Sequence, residues 1–179
     1  MRKRMKNKRY ILVLLAMLSV WPCCRRVQPQ GAANKPVADS AALALMEMNF
    51  LMALDANQLL IDSVRASGLP YVLDNRNVWY YRLSPSEGRQ IEPGMHVEYS
   101  AIIRDLATGA LLEDITEETE VGKRVVLDAI DIVLPYMRMG ETFLLLAPFY
   151  NAYGRDGKDN VPPLTNVKIL LTVNNITKI

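Results

Sequence analysis

Beyond Asn77 the sequence changes from helical periodicity to short β-rich runs separated by turns, and this change limits the possible folds more than any other feature. Asp128–Leu134 is long enough for one or two helical turns, capped by Asp128 and closed by Pro135. Four or five strands with one short helix between them predict an α+β domain over residues 77–179, with a mainly antiparallel sheet curved round that helix. The runs predicted as strands are 78–83, 97–103, 124–127, 142–147 and 167–173.

The segment before this domain, residues 38–76, is predicted to be a helical extension. Asp39 or Ser40 would cap a helix that runs to about Ala66 and is ended by the glycine and proline that follow. Three of the nine methionines lie in this helix, and methionine adapts its shape to many partners. The helix could dock on its own domain, on a client, or on a second copy as a homodimer through residues 40–66.

The first 22 residues have the anatomy of a secretory signal peptide. Six cations lie between residues 2 and 9, and the following run, Tyr10–Trp21, is apolar apart from one serine. That run is too short for a stable membrane-spanning anchor, which needs about 20 apolar residues. The chain is therefore expected to be exported.

Two cysteines follow the apolar run directly. The sequence here resembles a bacterial lipoprotein signal, with Cys23 or Cys24 as the lipid acceptor. Trp21 and Pro22 depart from that pattern, which prefers a small residue before the cysteine, so an ordinary signal peptide with incidental cysteines is the alternative. Residues 23–37 are polar, with proline and glycine, and are predicted to be a flexible tether. The expected location is the cell envelope, as a lipid-anchored membrane protein facing the periplasm.

The net charge argues against nucleic-acid binding. The full sequence carries a formal charge of +2, but the leader holds six of its 21 Lys and Arg and none of its 19 Asp and Glu. Removing the leader leaves 15 cations against 19 anions, a net charge of −4. A nucleic-acid-binding surface needs a basic stripe to neutralise phosphates, and this chain lacks that excess.

The usual catalytic residue sets are also missing. His96 is the only histidine, and it has neither a nucleophilic-serine motif nor a reactive-cysteine context around it. The acidic run from Glu113 to Glu120 is expected to be a solvated loop rather than a metal site. Acid–base, nucleophilic and zinc chemistry are therefore disfavoured.

Several spaced motifs in the C-terminal half occur together in one order. They are Val97-Glu98-Tyr99, Leu112-Glu113, Val126-Leu127, the strand from Gly140 to Pro148, Ala152-Tyr153-Gly154 and Val161-Pro162-Pro163. This constellation resembles the FKBP-type peptidyl-prolyl isomerases over about Gly88–Ile176. The leader and helical extension before it also resemble exported bacterial lipoproteins of that family.

The resemblance implies an FKBP-like fold, a binding pocket and no cofactor. The Leu127 backbone N–H and the Tyr153 hydroxyl would hold substrate carbonyls, and Glu113 would stand beside the carbonyl that twists. The implied pocket wall consists of Tyr99, Leu112, Val126, Leu127, Ile130, Tyr153, Val161 and Ile169.

The implied activity is rotation of Xaa–proline bonds in exported polypeptide clients, in an apolar pocket that favours the twisted amide over the planar one. The chain departs from the family at the pocket floor, where Ile130 stands in place of a tryptophan. Losing one aromatic contact can cost about 1 kcal/mol. An FKBP-like lipoprotein that binds or scaffolds peptides with little or no turnover is therefore the alternative.

Overall fold

A computed structural model of the protein describes residues 35–124 and 126–178. The signal peptide, both cysteines and most of the tether expected from the sequence lie outside these residues. By its contacts the chain divides into two compact units, residues 1–43 and 44–179. Of the first unit only residues 35–43 are described, and they are helical. The last three residues of the expected tether, residues 35–37, are thus part of a helix.

The first element, helix α1, spans Lys35–Ser67. It begins before Asp39 and Ser40, so the predicted cap at either residue is wrong. Its C-terminal end lies where the sequence predicts it, because Gly68 adopts a left-handed backbone with φ of +65°. No helix in the described part of the chain combines the length and apolar character needed to cross a membrane.

One antiparallel sheet of six strands forms the body of the domain. Its strands lie in the spatial order β1-β2-β5-β6-β3-β4. The sheet begins at Val72, five residues before the domain boundary expected at Asn77. The α+β class and the antiparallel sheet with a short helix are confirmed. The strands are β1 (Val72–Leu73), β2 (Trp79–Ser84), β3 (His96–Asp105), β4 (Leu111–Glu120), β5 (Thr142–Ala147) and β6 (Val167–Lys178).

Two segments differ from the prediction. The acidic run is not a loop: Leu111–Glu120 is strand β4, paired with β3 along its length. As an edge strand with one unpaired side in water, β4 tolerates carboxylates that a central strand would exclude. The predicted strand at Arg124–Leu127 is absent: residues 124, 126 and 127 belong to no strand. Arg124 has a positive φ of 53°, which is incompatible with extended backbone.

The short helix α2 (Asp128–Val133) packs against the sheet and is buried from Ala129 onward. Its N-cap is Leu127, which provides no side-chain cap, so the predicted capping role of Asp128 is wrong. A carboxylate from the first turn ties down the preceding loop instead, since the Gly122 N–H donates to Asp131 Oδ1 at 2.7 Å. Buried and half-buried residues alternate along β3, and the buried ones lie in the core together with this helix.

The C-terminal half of α1 docks on its own domain. Ala56 and Leu60 are buried, and the Tyr150 hydroxyl donates to Asn57 Oδ1 at 2.8 Å. Residues 44–51 of the same helix are all exposed. Between residues 44 and 60 of this helix, seven large apolar side chains are exposed to solvent, namely Leu45, Met46, Met48, Phe50, Leu51, Leu54 and Leu59.

Candidate functional site

An open pocket of about 390 Å³ lies between strands β3 and β4, the start of α2 and the loop after β5. Its position follows from the fold, because β4 extends the sheet beyond β3 and the start of α2 lines the pocket together with these two strands. The pocket is lined by Tyr99, Glu113, Ile115, Glu117, Val126, Leu127, Asp128, Ile130, Ala152, Tyr153 and Lys158.

Six of the nine residues predicted for the site line this pocket. They come from four separate parts of the chain, and the fold brings them together. These six are Tyr99, Glu113, Val126, Leu127, Ile130 and Tyr153.

The other three predicted residues, Leu112, Val161 and Ile169, do not line it. Ile169 is fully buried in β6, between Ile103 and Leu145 of the neighbouring strands. Leu112 lies at a register shift in β4 and packs against the core; such a bulge redirects a side chain. Val161 is buried beside a separate depression formed by residues 156–163.

The sequence interpretation missed five lining residues. Ile115 and Glu117 share one face of β4 with Glu113, because side chains two apart on a strand point the same way. The two-residue spacing could have identified Ile115 and Glu117, but only if the acidic run had been recognised as a strand. Asp128 was assigned a capping role. Ala152 belongs to the Ala152-Tyr153-Gly154 motif but was not assigned to the pocket, and Lys158 had no sequence feature that pointed to it.

Tyr99 contributes a polar contact as well as a wall. It is fully buried, and its hydroxyl donates a hydrogen bond to Glu117 Oε2 at 3.0 Å. Burial is the main cause that raises the pKa of Tyr99, followed by the hydrogen bond to Glu117 and the charges of Glu117 and Glu113. The phenol therefore stays protonated and orients the Glu117 carboxylate.

Tyr153 is the unusual member of the site. The side chain is 8% exposed, and its buried hydroxyl has no hydrogen-bond partner among the described residues. Burial is the main cause that raises the pKa of Tyr153, followed by a hydrogen-bond interaction with Glu113 and the charge of that carboxylate. The hydroxyl is therefore close to Glu113, although it makes no hydrogen bond of ordinary length and angle to it. A buried hydroxyl without a partner costs about 1–3 kcal/mol, and a ligand that accepts a hydrogen bond from this phenol would remove that cost.

The lining is less apolar than the sequence interpretation expected. Val126, Leu127, Ile130 and Ile115 supply aliphatic surface, but three carboxylates and one lysine supply charge. Within the described residues, none of these four charged groups forms an ion pair, and no group of three or more His, Cys, Asp or Glu side chains could hold a metal ion. The site can hold a peptide through apolar contact, hydrogen bonds and charge.

Comparison with known structures identifies the fold. The chain is similar to a peptidyl-prolyl cis-trans isomerase from Pseudomonas syringae pv. tomato, with a TM-score of 0.60 and 15% identity over 72% of this chain and 95% of that one. It is also similar to the N-terminal domain of FKBP42 from Arabidopsis thaliana, with a TM-score of 0.54 and 22% identity over 60% of this chain and 91% of that domain. The FKBP-like fold predicted from the sequence is thereby confirmed. No protein-family model and no curated protein matches the chain.

Proposed function

We propose that this protein is an FKBP-type peptidyl-prolyl cis-trans isomerase that assists the folding of exported proteins. The observation that carries the proposal is the unpartnered hydroxyl of Tyr153 in the wall of an open pocket, in a fold shared with such isomerases. A substrate carbonyl would accept the hydrogen bond that this hydroxyl does not make within the protein.

The proposed reaction is a rotation about one bond, so the site does not have to make or break a covalent bond. Rotation of the Xaa–proline bond must overcome the loss of amide resonance, a barrier of about 18–20 kcal/mol for an ordinary peptide bond. The planar amide is more dipolar than the twisted one, so a pocket that removes water penalises the planar form more. In this proposal the proline ring rests on Ile130, and the Leu127 N–H and the Tyr153 hydroxyl hold the flanking carbonyls. No nucleophile or cofactor takes part.

The second candidate function is peptide binding without useful turnover. The observation that favours it is the composition of the lining, in which an aliphatic floor at Ile130 lies among three carboxylates. Polar groups and water near the amide stabilise its planar form and so reduce the differential effect. Such a protein would grip or scaffold unfolded segments without accelerating their isomerisation.

An isomerisation assay separates the two candidates. The purified protein is added to a proline-containing tetrapeptide, and cis-to-trans exchange is followed by NMR exchange spectroscopy, with peptide binding measured on the same samples. Exchange faster than in protein-free peptide supports the isomerase. Binding without faster exchange supports the peptide-binding protein, and absence of both refutes the two candidates together.

We further propose export and lipid attachment at Cys23 or Cys24. The support is the sequence pattern of a cationic start, an apolar run and adjacent cysteines. Mass spectrometry of the protein from a membrane fraction tests it. A lipid-modified N-terminal cysteine is expected, and an unmodified N-terminus beyond Cys24 would refute the anchor.

We also propose that helix α1 pairs with a second copy of the chain. The seven exposed apolar side chains of residues 45–59 give the helix a surface that water disfavours. Only one charged residue, Glu47, lies among residues 44–54, so like charges would not keep two such helices apart over most of this length. Stable dimers bury about 800 Å² on each partner, which is the area that such a pairing would have to cover.

A further inference from the structure

We propose that the pocket selects prolines that have a positively charged residue next to them. The inference deepens the proposed function, since it names the class of substrate that the same site would accept. It rests on the charge of the lining, the geometry of β4 and the unpartnered Tyr153 hydroxyl.

The geometry of β4 places two carboxylates on the pocket side. Glu113 and Glu117 are four residues apart, so they share one face of the strand with Ile115 between them. Glu117 lies opposite Tyr99 in register, and the Tyr99 hydroxyl bonds to it. This hydrogen bond fixes the carboxylate at the pocket wall.

The charge balance of the lining is negative. Asp128, at the first turn of α2, adds a third carboxylate, and Lys158 is the single cation of the lining. None of the four forms an ion pair within the described residues. Three acids against one base leave two uncompensated negative charges for a ligand to meet.

A second observation, on Tyr153, points to a ligand in this pocket. Tyr153 is more than nine-tenths buried, it lines the same pocket, and its hydroxyl has no partner in the described part of the chain. A peptide carbonyl would satisfy this donor, and its neighbouring side chain would then lie within reach of the carboxylates. Charge complementarity of this kind discriminates among partners more than it adds affinity.

The solvent exposure of the three carboxylates sets how strongly the pocket should prefer a cationic neighbour. Glu113 is half-buried, and Glu117 and Asp128 are exposed, so water and salt screen each of them. An exposed charge pair is worth about a 1.5- to fivefold change in affinity. A peptide with lysine next to proline should therefore be preferred over the same peptide with glutamate by about tenfold at low ionic strength.

The experiment measures kcat/KM and Kd for two series of otherwise identical peptides, in which lysine, leucine or glutamate stands directly before or directly after the proline. We expect the order lysine, leucine, glutamate in at least one series, and we expect its spread to shrink in 1 M salt, where the Debye length is about 3 Å.

Charge-neutral variants with nearly unchanged shape test the assignment. Glu117→Gln keeps an acceptor for the Tyr99 hydroxyl and should reduce the lysine preference about two- to fivefold. Lys158→Gln removes the opposing charge and should increase that preference. Asp114→Asn is the matched control, because Asp114 is exposed on the same strand but does not line the pocket; it should leave the preference unchanged.

The outcomes separate this inference from the proposed function. Turnover without any dependence on the neighbouring charge would overturn the inference and leave the isomerase standing. A lysine preference in Kd without turnover would support the inference and refute the isomerase. Equal Kd values for the lysine and glutamate peptides, or no binding of either, would overturn the inference whatever the turnover.

Discussion

The Tyr99 hydroxyl donates a hydrogen bond of 3.0 Å to Glu117, the residue directly opposite it on the neighbouring strand. The hydrogen bond joins β3 to the acidic edge strand β4 inside the candidate site. Since Tyr99 is fully buried and the carboxylate stays at the surface, the pair fixes the position of one charge at the pocket wall.

Removing the Tyr99 hydroxyl should lower the stability of the protein. We expect Tyr99→Phe to lower the free energy of unfolding by about 1.5–3 kcal/mol, the usual contribution of a hydrogen bond to a charged group, with the lower end favoured because Glu117 can regain water. Urea unfolding measures the change. Tyr81→Phe is the matched control, since the Tyr81 hydroxyl bonds to no described residue; a loss as large in the control would contradict the assignment.

The sequence was informative where hydrophobic pattern and burial agree. Strands β3, β5 and β6 were predicted because they carry the core, and alternation along them reports which face is buried. Strand β4 was missed because an edge strand is stabilised by backbone pairing with β3 and needs little apolar sequence of its own. Two of its three pocket residues, Ile115 and Glu117, were missed with it, and Glu113 was found only through the order of motifs.

Tertiary structure also decides which of the predicted site residues line the pocket and which do not. Tyr99, Ile130 and Tyr153 were found through the order of motifs along the chain, which fixes the elements that carry them. Whether a residue such as Leu112 faces the pocket depends on a register shift in β4, and nothing in the spacing of the sequence announces that shift. Local backbone irregularities of this kind are set by tertiary packing.

Tyr153→Phe should change activity and stability in opposite directions. The hydroxyl has no partner within the described residues, so removing it should leave stability unchanged or raise it, at most by the cost of an unsatisfied buried hydroxyl, about 1–3 kcal/mol. In the proposed mechanism the same change removes a hydrogen bond to substrate, and kcat/KM should fall about fivefold.

The two measurements are urea unfolding and the exchange assay. Tyr81→Phe, which removes a hydroxyl outside the pocket, serves as the control for both. A variant that loses stability together with activity would indicate a structural role for the Tyr153 hydroxyl and contradict its assignment as a substrate donor.

Asp74 should make the fold sensitive to acid. It is buried, and it accepts hydrogen bonds from the Tyr136 hydroxyl at 2.8 Å and from the Arg76 backbone at 2.8 Å. Burial by itself raises the pKa of Asp74, but the hydrogen bonds from Arg76 and Tyr136 and the charge of Arg76 together lower it below the ordinary value.

The sign of the pH effect follows from this direction. A carboxyl with a lowered pKa in the folded state stabilises the fold fully above its unfolded pKa, about 3.9, and that contribution is lost as the pH falls through the folded value. We expect Asp74→Asn to be less stable than the wild type at pH 7 and to show a smaller loss of stability between pH 5 and pH 2. Urea unfolding across this range measures it, with Asp114→Asn as the exposed control; an unchanged pH profile in Asp74→Asn would contradict the prediction.

The exposed surface of helix α1 should control the oligomeric state. Phe50 is 64% exposed, so Phe50→Glu removes little packing within one chain, but it would place a charge in the proposed interface between two copies. Sedimentation velocity across the micromolar range should show a dimer for the wild type and an increase in the dissociation constant of at least about tenfold for the variant. Leu83→Glu is the matched control, because Leu83 is 50% exposed on β2, outside the helix, and it should leave the dimer intact. A wild-type protein that stays monomeric throughout that range would refute the pairing, and equal weakening by both variants would place the interface elsewhere.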